Sequence, residues 1–383
     1  MPKRGENIRK RKDGRWEGRY KPQGKSTYRS IYGKGYFEVK EKMRNVLHHE
    51  EKPRTRNIMM PALCLEWLEH IKFKVKESTY ANYHTAVHSH IIPYFEKTSL
   101  RTINQQAINC FIEEKAKHGR LDGNGGLSSK TIHDLIIILN QILKLAMDKK
   151  YIAQIDYDFA VPKAASPVLD VLSHAERDLF IQSVLSNLTP EALGFLIALF
   201  TGIRIGELCA LTWQDVNLDD KFIRITKTLQ RIKNVDAGNK AKTKIMIGQA
   251  KSKHSIRDIP LPAFLLDILN EHQVNEDAFV ITGQAKFCEP RTYQEQFKRF
   301  LKHAGLRNMN FHILRHTFAT HSIELGFDIK SLSEILGHAS VSFTLEKYVH
   351  SSFELKKRHM DKQRLSVDKG QKSGQKNKQS LDA

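Results

Sequence analysis

The chain has 383 residues, of which 62 are Lys or Arg and 42 are Asp or Glu, giving a formal charge of +20. That length exceeds one comfortable core, so two or three domains are expected, and the surplus cations call for a polyanionic partner. No apolar run approaches a membrane span and "MPKRGENIRKRKDG" has no hydrophobic signal core, so membrane and secreted classes are excluded and the cytoplasm is the expected location.

Residues 1–56 hold 18 Lys or Arg against seven acids, an excess of +11, so the positive field is concentrated at the front. Within it "RKRKDGRWEGRYK" predicts a hairpin turning at Asp13-Gly14, with Trp16 and Tyr20 on the flanking strands. "STYRSIYGKGYF" adds a further strand, and "FEVKEKMRNVLHHEEK" predicts an amphipathic helix. A solvated basic hairpin or a disordered arm is the plain alternative. Trp16, Tyr20, Tyr28, Tyr32 and Tyr36 supply enough apolar surface for a small core and argue against it.

After Pro53 and the linker "EKPRTRN", four segments between "PALCLEWLEHIKFKV" and "SSKTIHDLIIILNQILKLAMDKKYI" carry helical apolar spacing, with Ser78 and Ser128 as expected N-caps. A second break falls at Pro162 and Pro167. A larger mixed region follows, with helices in "SHAERDLFIQSVLS" and "TPEALGFLIALFTG" and strands in "KFIRITKT", "TKIMIGQ" and "SIRDIPL". The Lys/Gln/Ser/Gly-rich end predicts a disordered tail over 361–383. Cys64, Cys110, Cys209 and Cys288 are far apart with no CxxC pair, which predicts buried reduced thiols.

Four stretches carry chemistry: "TGIRIGEL", "AKSKHSIRDIPL", "HILRHTFATH" and "LGHASVSFTLEKYVH". Arg204 and Arg315 offer planar forks for the nonbridging oxygens of a phosphate. Lys251 can protonate a leaving oxygen, and Lys253 flanks the same predicted turn. His312 and His338 can hydrogen-bond phosphate or move protons near neutrality. Tyr348 supplies a nucleophile whose ordinary pKa of ~10 demands activation.

Each residue has a duller reading alone. Arg204 could cap the preceding helix and pair with Glu207, the lysines could sit at a solvated hairpin tip, and Tyr348 could be a packed aromatic. His312 and His316 have metal-ligand spacing on a helix. The Glu of HExxH is missing, however, no second ligand pair is evident, and Arg315 would repel the ion. Taken together, the order Arg, Lys, His-x-x-Arg, His, Tyr resembles the tyrosine recombinases of the phage and conjugative-transposon integrase family over almost the whole chain.

The resemblance implies a multidomain α+β protein: a small N-terminal three-stranded sheet plus helix, an all-α core-binding domain, and a mainly α catalytic domain with a small antiparallel sheet. The expected bounds are 1–56 for an arm-type DNA-binding domain, 58–165 for the core-binding domain and 166–360 for the catalytic domain. Arg204, Lys251, His312, Arg315, His338 and Tyr348 would be catalytic, Glu207 would orient the arginines, and His316 would pack beside the site. Arg15, Arg19 and Arg29 are candidate groove-entering side chains. The implied reaction integrates and excises a mobile element through a 3′-phosphotyrosyl intermediate, with no metal or ATP. The implied partners are double-stranded DNA at core and arm sites, three further copies in a homotetramer, and an excisionase or DNA-bending accessory protein. The rivals are a type IB topoisomerase and a catalytically silent DNA-binding regulator.

Overall fold

The structure is a computed structural model that describes residues 7–21, 27–50, 58–153, 169–235, 241–249 and 255–348. Pro53, Pro162, Pro167, Lys251, Lys253 and the expected tail lie outside the described residues. The chain divides into two compact units, one of residues 1–165 with 235–238 and the other of 166–234 with 239–383.

In the first unit, β1 (Ile8–Lys10), β2 (Trp16–Tyr20) and β3 (Arg29–Gly33) form an antiparallel sheet in that order. The turn residue Gly14 has φ +85°, a conformation that favours glycine. The helix α1 (Tyr36–Glu50) covers one face of the sheet, where Trp16 meets Tyr36 edge-on at 5.5 Å. Gly18 lets the helix approach closely: a Cβ there would come within 2.2 Å of the Met43 sulfur.

The all-α part comprises α2 (Met60–Ile71), α3 (Glu77–Ala86), a π-helical stretch Val87–Ile91 running into α4 (Ile92–Tyr94), α5 (Gln105–His118) and α6 (Ser129–Asp148). Ser128 caps α6 by accepting from the Thr131 amide. The expected cap Ser78 instead lies inside α3, whose N-cap is Lys76 without a side-chain bond. In α6 the residues Ile132, Leu135, Ile136, Leu139, Ile142, Leu143 and Ala146 form one buried stripe. Each Ile or Leu so buried contributes about 1.5–3 kcal/mol.

The second unit begins with α7 (His174–Ser186), entered through a Ser173/Glu176 capping box, and α8 (Pro190–Thr201), nearly all of it buried. Gly202 ends α8 at φ +64°, and a Cβ there would lie 2.6 Å from Phe318 and 2.8 Å from Leu336. Glycine is required both for that conformation and for room. The short α9 (Ile205–Leu208) follows. Then come β4 (Val216–Asn217), β5 (Phe222–Ile225), β6 (Lys227–Lys233), β7 (Thr243–Gln249) and β8 (Arg257–Pro260).

These strands make two sheets, an antiparallel β4-β5-β8 and a β6-β7 ribbon. "KFIRITKT" therefore serves two sheets, breaking at Thr226, where one strand was expected. Helices α10 (Ala263–His272), α11 (Pro290–His303), α12 (His312–Glu324), α13 (Ile329–Leu336) and α14 (Val341–Tyr348) complete the unit. Phe195, Tyr293, Phe297 and Phe311 interlock, with Phe195 5.1 Å from Tyr293 and Phe297 5.2 Å from Phe311. That aromatic core packs the middle of α8 against the start of α12, the helix that carries Arg315.

Of the cysteines, Cys64 and Cys209 are buried as expected, whereas Cys110 is exposed on α5 and Cys288 is half-buried; all four are thiols. No helix among the described residues is long and apolar enough to cross a membrane.

Candidate active site

Two helix ends aim the site. Past Gly202 the chain turns through Arg204, which is the N-cap of α9, and past Gly337, the left-handed cap of α13, it presents His338. Both arginines are anchored on the carbonyl groups those ends leave unpaired. Arg204 donates from Nη2 to Gly337 O at 2.9 Å, and Arg315 donates to Gly202 O at 2.7 Å and Leu336 O at 2.8 Å. The partial negative charge of a helix C-terminus favours a cation there.

Glu207 sits one turn after Arg204 and is buried to 5% exposure. It accepts from Arg204 Nη1 at 2.7 Å, and it also receives both terminal nitrogens of Arg257, at 3.2 and 2.8 Å. Burial alone would raise its carboxyl pKa, but the hydrogen bond and charge of Arg257, then the charge of Arg204, leave it below the ordinary value. Arg257, on β8, also donates to Ile335 O at 2.6 Å and thereby ties that sheet to α13.

Arg315 is 2% exposed, and its guanidinium donates to two main-chain carbonyls and to His338 and also hydrogen-bonds Tyr348. Burial, then the charge of Arg204, push its guanidinium down to about 9, still protonated at neutral pH. His338 accepts at Nε2 from Arg315 at 2.8 Å. Because arginine can only donate, His338 carries its proton on Nδ1 and donates it to Thr344 Oγ1 at 2.7 Å. Thr344 and Tyr348 are one turn apart on α14, so the ring bonded to the first lies parallel to the second, at 6.1 Å and 4°. Tyr348 is 5% exposed and packs with Ala319, Leu332 and Leu336. Burial raises its pKa, opposed by the charge and hydrogen bond of Arg315 and the charge of Arg204.

Arg204, Glu207, Arg315, His338 and Tyr348 are thus brought together. His312 stands at the exposed start of α12, its ring 5.1 Å from that of His316. Lys251 and its alternative Lys253 lie outside the described residues. His316, expected to pack, instead places Nδ1 2.9 Å from the Tyr348 hydroxyl. Arg257 and Thr344 were not singled out by sequence. The signal for Arg257 was its inward register on the alternating strand "RDIP".

At the front of the chain, Arg15 and Arg19 alternate with Glu17 onto the sheet face that α1 leaves uncovered, whereas Arg29 pairs with Tyr20 on the other face. Arg19 lies over Tyr28 at 5.4 Å, and Arg15 pairs with Asp13 at 2.9 Å. The same face carries Arg9 and Tyr32, gathered around a buried Glu17: Arg9 donates to it at 3.0 Å and Ser30 at 2.8 Å.

Residues 171–354 match the model of the phage integrase family, and residues 61–116 match that of the phage integrase N-terminal SAM-like domain. The chain is 26% identical to a tyrosine recombinase XerC-like protein of Caldanaerobacter subterraneus subsp. tengcongensis, over 85% of this chain and 89% of that one. It is 23% identical to the ICEBs1 integrase of Bacillus subtilis, over 82% and 85%. Its fold is similar to the Tn1549 transposon integrase in complex with transposon right end DNA (TM-score 0.61, 22% identity, 80% of this chain and 99% of that one). It is also similar to a lambda integrase tetramer bound to a Holliday junction (TM-score 0.53, 17% identity, 88% and 96%). With the two family models lying on the two units that the fold separates, the chain belongs to the phage integrase family of tyrosine recombinases, enzymes of site-specific recombination.

Proposed function

We propose that this recombinase integrates and excises a mobile element, with Tyr348 as nucleophile. The observation that carries the reading is the meeting of Arg204, Arg315, His338 and Tyr348, from separated stretches of sequence, in one bonded cluster. Tyr348 Oη attacks the scissile phosphorus, the 3′-phosphate stays on the tyrosine, and the 5′-oxygen leaves with a proton from Lys251. Arg204 and Arg315 neutralise the nonbridging oxygens as charge builds. His312 is a further hydrogen-bonding group for the phosphate, and His338, held by Thr344 at Nδ1, steadies Arg315 beside it through Nε2. A partner strand's 5′-hydroxyl then reverses the step at a new junction. Bond energy is kept in the phosphotyrosyl link, so neither ATP nor metal is consumed.

Two duplexes need four active sites, hence a homotetramer assembled on double-stranded DNA, an arrangement also described for the lambda integrase neighbour. Residues 1–56 would grip arm sites, 58–165 the core site, and 166–360 would hold the chemistry, with an excisionase or DNA-bending protein setting direction. The test is strand fate. A labelled element end incubated with an unlabelled target should yield joint molecules; religation of the original strand alone would favour a topoisomerase.

Deleting residues 1–56 should leave cleavage of a core-site substrate intact and abolish recombination. It should also flatten the salt dependence of binding by roughly 0.9 in log-log slope per phosphate contact removed. A footprint of that segment on element ends, with scrambled DNA as control, checks the arm role. The uncovered sheet face, with Arg15 and Arg19 beside Arg9 and Tyr32, is its reading surface, and Arg29 contributes from the sheet edge.

The general acid is identified by a substrate with sulfur in place of the scissile 5′-oxygen. A thiolate leaves with little protonation, so this substrate should restore cleavage by Lys251→Ala. Rescue confined to Lys253→Ala would move the role to Lys253.

A further inference from the structure

One titratable group outside the set read from the sequence touches the nucleophile. His316 Nδ1 lies 2.9 Å from the Tyr348 hydroxyl, the rings 5.7 Å apart and inclined at 49°. Its backbone is held on both sides: Arg315 is bonded to Gly202 and Leu336, and Thr317 Oγ1 accepts from the Leu172 amide at 2.9 Å. A contact fixed in this way is preorganised.

The other groups around the hydroxyl are poor proton acceptors. Arg315 and Arg204 are cations, and His338 spends Nε2 on Arg315 and Nδ1 on Thr344. His312 stands at the exposed start of the helix. Resting on the reading of Tyr348 as nucleophile, we propose that His316 is a catalytic residue: the base that takes the Tyr348 proton during cleavage and returns it during rejoining.

In cleavage the Tyr348 O–H bond breaks as Oη–P forms, and the proton passes to His316 Nδ1, leaving an imidazolium. The P–O5′ bond breaks, and O5′ takes its proton from Lys251. In rejoining the attacking 5′-hydroxyl gives its proton to the neutral lysine as P–O5′ forms, and Oη departs with the proton from His316. Neutral His316 therefore carries its hydrogen on Nε2 and accepts at Nδ1. Burial keeps the phenol protonated in the resting protein against the opposing charges of Arg315 and Arg204, so an acceptor in contact has a task to perform. Asp170, paired with Arg307 at 2.8 Å, is near enough to interact electrostatically with the imidazole. Its own carboxyl is held low first by hydrogen bonds from Arg307 and to a smaller extent by the charge of His316.

The experiment measures covalent trapping of the full-length protein on a nicked suicide substrate carrying the element's core site. His316→Ala should bind DNA as the wild type does and form the adduct about 10²–10³-fold more slowly. His316→Asn keeps a polar atom at the Nδ1 position but cannot take up a proton. It should preserve the melting temperature and stay slow, and it should lose the fall in rate expected of the wild type as falling pH protonates His316. The 5′-thio substrate should restore Lys251→Ala and leave both His316 variants slow.

A wild-type rate in either variant, an unchanged pH profile in His316→Asn, or rescue of a His316 variant by sulfur would overturn the assignment. Should His316→Ala fail to fold, His316→Asn decides alone. Absence of any adduct with the wild type would instead overturn the nucleophile reading on which the proposal rests.

Discussion

Tyr348→Phe should bind core-site DNA within about twofold of the wild type and show covalent attachment reduced by at least about four orders of magnitude. The substitution removes one oxygen. The ring stays stacked on His338 and packed against Ala319, Leu332 and Leu336, so the fold around it is kept. The lost hydrogen bond to His316 costs about 1 kcal/mol, too little to unfold the unit. Gel analysis of suicide-substrate reactions, with binding measured in parallel, checks both halves. Undiminished trapping would show that another side chain attacks.

The largest stability effect should come from Glu207. Its carboxylate is the shared counter-charge of Arg204 and Arg257, with pair distances of 2.7 and 2.8 Å, and both it and Arg257 are buried. Glu207→Ala leaves the Arg257 cation buried without its acid and should cost about 3–5 kcal/mol, or roughly 10 °C in the melting temperature of this unit. Glu207→Gln keeps the shape and part of the hydrogen bonding and should cost less, while slowing cleavage because Arg204 is less firmly held.

The pH dependence of Glu207 has a definite sign. The folded carboxyl lies below its ordinary value of 4.5, so its contribution is fully present above pH 4.5 and is lost as pH falls through the folded value. Melting curves between pH 7 and pH 3 should therefore show the wild type and Glu207→Gln converging at the acid end. A constant gap across that range would mean that the carboxylate is not the stabilising form.

Much of the site was legible because its residues sit next to strong local signals. Gly202 and Gly337 mark helix ends that need a left-handed residue; Arg204 follows the first after one residue and His338 follows the second directly. The short interval from His-x-x-Arg places His312 and Arg315 on one helix, and the ten residues from His338 to Tyr348 span one turn and one short helix.

The pairings made across the fold were not legible. Arg257 reaches Glu207 from 50 residues away, and nothing local to "RDIP" reveals that partner. His316 falls outside the order Arg, Lys, His-x-x-Arg, His, Tyr and so carries no expected role but packing; its bond to Tyr348 depends on how α14 folds back over α12. The split of "KFIRITKT" escaped for a similar reason, since continuous alternation cannot show that a chain changes sheets. Ser78 was placed at a helix start by residue type alone, although the helix begins one residue earlier. Arg29 shows the register problem at the front: one residue's shift along the strand moves a side chain to the opposite face.

The most direct test of the central claim is chemical identification of the covalent link. The wild-type protein, trapped on a nicked core-site duplex and digested with protease and nuclease, should yield one nucleotide-bearing peptide. That peptide should contain Tyr348 joined through its phenolic oxygen to a 3′-phosphate, with a free 5′-hydroxyl on the released strand. A link to any other residue, or to a 5′-phosphate, would contradict it.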